Sequence, residues 1–85
     1  MDWLSLPPLA ALRAFSAYAE HGNLAKAGAA LNVSHAAISQ QLRSLEDHLG
    51  APLLDRSHRS LELTQEGAHL AQALLLGFGA VQSAV

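Results

Sequence analysis

Between Asn23 and Thr64 the chain sets helix starts, a tight turn and helix stops so close together that few folds can hold them. Asn23 can cap a helix that runs to Ala30 or Leu31, and the small Ala27-Gly28 pair lets a second helix cross closely. Asn32 tolerates the left-handed backbone of a short turn, Val33 is expected to plug that turn, and Ser34 can cap the next helix. There Ile38, Leu42, Leu45 and Leu49 step by four, three and four residues, which forms one narrow stripe for burial. Gly50 and Pro52 then stop the helix. Two helices around such a turn make a helix-turn-helix.

The flanking segments extend this reading. Pro7-Pro8 suits a helix start, and Leu9, Leu12, Phe15 and Ala19 follow at near-helical spacing until Gly22, placed where a left-handed cap belongs. Leu53-Leu54 and Leu61-Glu62-Leu63 are expected as two short strands joined by residues 55–60, with Leu61 and Leu63 on the half-buried side. Thr64 can cap a last helix, with Glu66 well placed in its first turn. Leu70, Leu74, Phe78, Val81 and Val85 recur at four, four, three and four, as in a coiled-coil seam. Gly77 and Gly79 weaken that helix by about 1 kcal/mol each relative to alanine. It is therefore expected to depend on a partner, and the seam residues are the candidate dimer interface. The predicted fold is mainly α, a winged helix-turn-helix with a small β-hairpin wing and a long C-terminal helix.

Composition sets limits on function. Eighty-five residues with 51% apolar and 14% charged side chains form one small domain, too apolar for disorder. With no cysteine, disulfides and thiolate metal sites are excluded. His21, His35, His48, His58 and His69 stand ten or more residues apart, so no two share a helical face, and neither a metal nor another cofactor is expected. No nucleophile with a base, phosphate loop or carboxylate pair supports an enzyme. The N-terminus lacks a signal peptide, and polar residues interrupt the uncharged tail from Gly67, so neither export nor a membrane span is expected.

The net charge of −2 counts against nucleic-acid binding, because affinity for phosphates comes from Lys and Arg. Distribution softens the objection, although a single copy is still expected to bind weakly. Opposite the leucine stripe lie Ala36, Gln40 and Arg43, with Ser39 on the flank, His35 in the first turn and no acid from Ser34 to Arg43. A helix presented in this way is shaped for the DNA major groove. Ser34 can cap and touch phosphate together, and Lys26 and Asn23 at the start of the preceding helix join the candidate contacts. Arg56 and Arg59 cluster in the wing. A phosphate or guanine contact by His35 would strengthen binding as pH falls through about 6.5, where an ordinary histidine charges.

Phe15, Ala27, Leu31, Ser39, Leu45-Glu46, Leu49-Gly50, Leu53-Leu54, Arg56, Arg59 and Leu63-Thr64 followed by Gly67 together resemble the N-terminal DNA-binding domain of the LysR-type transcriptional regulators. The likeness runs from Leu9 to about Leu70. Leu6-Pro7-Pro8-Leu9 with Leu12-Arg13-Ala14-Phe15 is similar to the subgroup of glycine-cleavage and β-lactamase regulators. The resemblance implies that the third helix enters the major groove while the wing approaches the backbone or minor groove. It further implies a linker helix over residues 65–85 that pairs with its twin, and a DNA-binding domain over residues 1–64. The expected partners are a second copy of the chain and double-stranded DNA carrying an inverted repeat, in the cytoplasm. The resemblance also implies a larger effector-binding domain that this sequence does not contain, so either an isolated domain with a truncated linker helix or a naturally short DNA-binding protein is expected. Departures from the family pattern are Asn23-Leu24-Ala25-Lys26 for a serine-aromatic start, His35 for glutamine, Gly28 for alanine and Leu54 for phenylalanine. They bear on base preference. The rival function is a protein-interaction module that docks through the apolar last helix.

Overall fold

The computed structural model describes residues 1–57 and 60–85, which fall into two units, residues 1–50 and 51–85. In the first unit a single 3-10 turn, Trp3–Ser5, precedes three helices. Helix α1 (Leu9–His21) begins directly after Pro8 and ends at Gly22, whose φ is 69° and whose N–H donates to the Tyr18 carbonyl at 2.7 Å. Helix α2 (Leu24–Leu31) begins at Asn23, and α3 (His35–Leu49) ends at Gly50, also left-handed, with its N–H on the Glu46 carbonyl at 2.8 Å. The caps named from sequence are the ones that end these helices.

The three helices pack on one another around Ala11, Ala14, Phe15 and Tyr18 of α1, Ala27 of α2, and Ile38, Leu42 and Leu45 of α3. The buried face of α1 is rotated from the expected one. Leu9 is 62% exposed, and Leu12 and Ala19 are half-buried, whereas Ala11 and Ala14 are covered. The face that α1 turns to its neighbours thus combines the small Ala11 and Ala14 with Phe15 and Tyr18. Leu49 is likewise 42% exposed, because it stands at the last residue of α3 where the helix leaves the core. The stripe that α3 buries is therefore Ile38, Leu42 and Leu45.

The second unit starts with a hairpin. Strand β1 (Leu54–Asp55) pairs antiparallel with β2 (Glu62–Leu63), setting Leu54 opposite Leu63 and Asp55 opposite Glu62. The first strand lies one residue later than expected, and the second covers the last two of its three expected residues. Leu53 instead offers its carbonyl to the Thr64 N–H at 3.0 Å, beyond the ladder, and Leu61 is exposed. Helix α4 (Gln65–Ala84) follows. The Thr64 hydroxyl accepts from the Gly67 N–H at 3.0 Å and donates to the Pro52 carbonyl at 2.8 Å, so one side chain caps the helix and ties it to the approach of β1. Gly67 is buried against that same segment, where a Cβ would collide with the Leu53 carbonyl. Along the rest of α4, Leu70, Leu74 and Phe78 are half-buried, and Leu75, Leu76, Val81 and Val85 are exposed. No helix among the described residues is long and apolar enough to cross a membrane.

Two glycines of α4 are expected to respond in opposite directions. Gly67→Ala overpacks the Leu53 carbonyl and should lower the unfolding free energy by about 1–3 kcal/mol. Gly79 has nothing within 4 Å of a Cβ, so Gly79→Ala should raise it by about 1 kcal/mol. Urea titrations of both variants measure the pair.

Candidate nucleic-acid interface

Four local interactions fix where α3 begins. Asn23 Oδ1 accepts from the Lys26 N–H at 3.0 Å and sets the start of α2. At its other end Asn32 takes φ 58°, a left-handed conformation that few non-glycine residues adopt. The Val33 N–H then donates to the Gly28 carbonyl at 2.9 Å. Finally Ser34 Oγ accepts from the Ala37 N–H at 3.0 Å. Val33 does not plug this turn, since its side chain is 46% exposed. Backbone contact closes the turn instead. A Cβ on Gly28 would lie 2.7 Å from the Val33 carbonyl oxygen and 3.3–3.4 Å from the backbone of Ser34 and His35. A side chain there would push the start of α3 away from α2.

With its start held, α3 turns Ile38, Leu42 and Leu45 inward, and helical geometry carries the intervening residues to the opposite side. His35, Ala36, Gln40 and Arg43 are exposed and Ser39 is half-buried. These five side chains line one open concavity of about 440 Å³. No hydrogen bond or ion pair engages the side chains of Gln40 or Arg43 among the described residues. The first turn of α3 contains no acid, so nothing opposes the partial positive charge of its N-terminus. Asp47 is the first acid on the same side, one turn beyond Arg43.

The other candidates stand elsewhere. Asn23 and Lys26 are exposed at the start of α2 but do not line the concavity, and the Asn23 side-chain oxygen is already occupied as a cap. Ser34 is exposed at the α3 cap. Arg56 belongs to the second unit, exposed just after β1, and Arg59 lies outside the described residues. Sequence reasoning missed Asp55, whose Oδ1 accepts from both the Ser57 N–H (2.9 Å) and the Ser57 hydroxyl (2.5 Å). That turn shapes the chain as it leaves β1. An aspartate two residues before a serine was the available signal. Among the described residues, no group of three or more His, Asp or Glu could hold a metal ion.

Comparison with known proteins places this geometry in a wider set. The sequence pattern described as bacterial regulatory helix-turn-helix protein, lysR family, matches residues 9–68. The AhcY transcriptional activator HvrB of Rhodobacter capsulatus is 51% identical over 84 residues, covering 99% of this chain and 29% of that protein. A carbapenem-hydrolyzing β-lactamase transcriptional activator of Enterobacter cloacae is 49% identical over 78 residues, covering 92% of this chain and 26% of its own length. The chain thus spans between a quarter and a third of the length of these two relatives. Among solved structures, the BenM DNA-binding domain in complex with catB site 1 DNA superposes with a TM-score of 0.81. It is 31% identical over 91% of this chain and 86% of that one.

The cap at Ser34 has a measurable weight. Ser34→Ala leaves the Ala37 N–H without its side-chain acceptor and should cost about 1 kcal/mol of stability, while Ser34→Asn should restore most of it. Thermal unfolding of the three proteins, followed by circular dichroism, distinguishes these outcomes.

Proposed function

Because this chain belongs to the LysR family of bacterial regulatory helix-turn-helix proteins, we propose that it binds double-stranded DNA sequence-specifically and serves transcription regulation. The observation that carries this reading is the outward face of α3, where His35, Ala36, Ser39, Gln40 and Arg43 share one open concavity. Small side chains let the helix approach base edges, while the amide and guanidinium supply hydrogen-bonding groups. In this reading α3 lies in the major groove, and Ser34, Lys26 and Asn23 approach the flanking phosphates. Arg56 and Arg59 meet the backbone or minor groove from the wing.

A single copy has few cations with which to hold a polyanion, since five Lys and Arg stand against seven Asp and Glu. Pairing offsets that weakness. The functional unit is a homodimer in which residues 65–85 form the linker and dimerisation helix, and residues 1–64 the DNA-binding domain. Leu70, Leu74, Phe78, Val81 and Val85 meet their counterparts across a two-fold axis. Leu70, Leu74 and Phe78 are only half-buried in the single chain and Val81 and Val85 are exposed, which supports this, since incompletely covered apolar side chains along a helix call for cover. Two-fold symmetry would match an inverted repeat and double the phosphate contacts. The site of action is the cytoplasm, where such a regulator meets bacterial DNA.

The decisive measurement is sedimentation of the protein alone and with a palindromic duplex selected from random DNA, repeated as salt is raised. A dimer making about six phosphate contacts should lose about a thousandfold in affinity between about 50 and about 200 mM salt. Binding partners that associate through α4 with no salt dependence, and no affinity for any duplex, would favour a protein-docking module. A second measurement concerns His35. Affinity for the selected duplex should fall severalfold in His35→Ala, because the imidazole supplies a hydrogen-bonding group at the first turn of α3. An unchanged affinity would remove His35 from the contacts.

A further inference from the structure

The concavity on α3 has a chemical order along its axis as well as a sign. Ala36, Gln40 and Arg43 are four and then three residues apart, so they stand in one line on one side of the helix. Their axial separations are about 6 Å and about 4.5 Å, and the row spans about 10 Å. Base pairs in duplex DNA follow one another at about 3.4 Å, so this row matches about three consecutive steps. His35 and Ser39 lie to one flank. Asp47, one turn further along the row, ends it with a carboxylate that phosphates repel.

Each member of the row has a different recognition chemistry. Ala36 is exposed and offers only a methyl group, whose apolar complement in the major groove is the C5-methyl of thymine. Gln40 offers one acceptor and an NH₂ donor, neither engaged within the described residues, and this pair matches N6–H₂ and N7 of adenine. Arg43 offers only donors, in a planar fork, which matches O6 and N7 of guanine. Among the described residues, Arg43 is the one Lys or Arg that lines the concavity.

We propose that the half-site read by α3 presents a thymine methyl to Ala36, an adenine edge to Gln40 and a guanine edge to Arg43, within about three to four base pairs. This rests on the DNA-binding reading above and assigns the bases that the site discriminates. Arg43 carries the largest share, since a bidentate guanidinium contact is the strongest of the three.

The test is selection of duplexes from a random library with the whole chain, followed by affinity measurements on single-base variants of the recovered site. Arg43→Ala should lose about tenfold in affinity and lose its preference at one guanine. Gln40→Ala should lose its preference at an adjacent or next-adjacent adenine. Replacing one thymine by deoxyuridine, which removes only the methyl, should weaken the wild type severalfold and leave Ala36→Gly unaffected. Circular dichroism checks that the variants fold, and the deoxyuridine measurement on the wild type stands even if Ala36→Gly does not. Specific, salt-sensitive binding with all three preferences unmoved by these changes would overturn the base assignment alone. Absence of salt-sensitive binding to any duplex would overturn the DNA-binding reading beneath it.

Discussion

Burial of one edge of α3 determines what the other edge can do. Ile38, Leu42 and Leu45 are at most 2% exposed, and they hold the helix against α1 and α2 so that it cannot rotate about its axis. A rotation that freed any of these three side chains would expose a full aliphatic group, at a cost of about 1.5–3 kcal/mol each. The five residues around the outer concavity are therefore presented by packing, not by contacts of their own. Ala36, Gln40 and Arg43 make no contribution to the core that would constrain their identity. The site can vary in chemistry while its scaffold stays the same.

Rotation is only half of the constraint, because α3 must also start at a fixed place. The turn between α2 and α3 contains no buried plug. It is closed by the left-handed Asn32, the Val33 N–H on the Gly28 carbonyl, and the approach of Val33 to a residue without a side chain. Backbone-to-backbone contact of this kind is stiff, since no rotamer can yield. Ser34 then completes the start of α3 while leaving its first turn free of acids. The second unit uses the same device. Thr64 and Gly67 bind the start of α4 to the carbonyls of Pro52 and Leu53, so the hairpin and helix share one fixed corner.

Charge makes the site economical and dependent on its surroundings. With a net charge of −2, the whole chain offers little general attraction to a polyanion. What the outer face of α3 offers is local: an acid-free stretch from His35 to Arg43, a helix N-terminus and the Arg43 guanidinium. In the proposed DNA-binding reading, specificity would depend more on matching base edges than on bulk electrostatics, and a second copy would matter more than it would for a basic domain. The partly uncovered apolar residues of α4 are in keeping with that proposal.

Much of this was readable from the residues alone. The caps at Asn23, Ser34, Thr64, Gly22 and Gly50, the left-handed Asn32 and the inward stripe of α3 all follow from local chemistry, because each rests on residues within one or two turns of one another. The likeness to LysR-type regulators rested on a different set that shares Leu45, Gly50 and Thr64 with these. Tertiary structure decided the depth of burial and the close approaches. Leu9, Val33 and Leu49 were expected inside and are substantially exposed, while Ala11 and Ala14 are covered. Periodicity identifies a face of a helix but not which part of it a neighbour reaches. The one-residue displacement of the first strand has a similar origin, since Thr64 draws in the carbonyls of Pro52 and Leu53 from the other side of the hairpin. Glycine at 28 and 67 reads in sequence as a weak helix former. Only the carbonyls of Val33 and Leu53, brought against them by the fold, explain why a side chain has no room there.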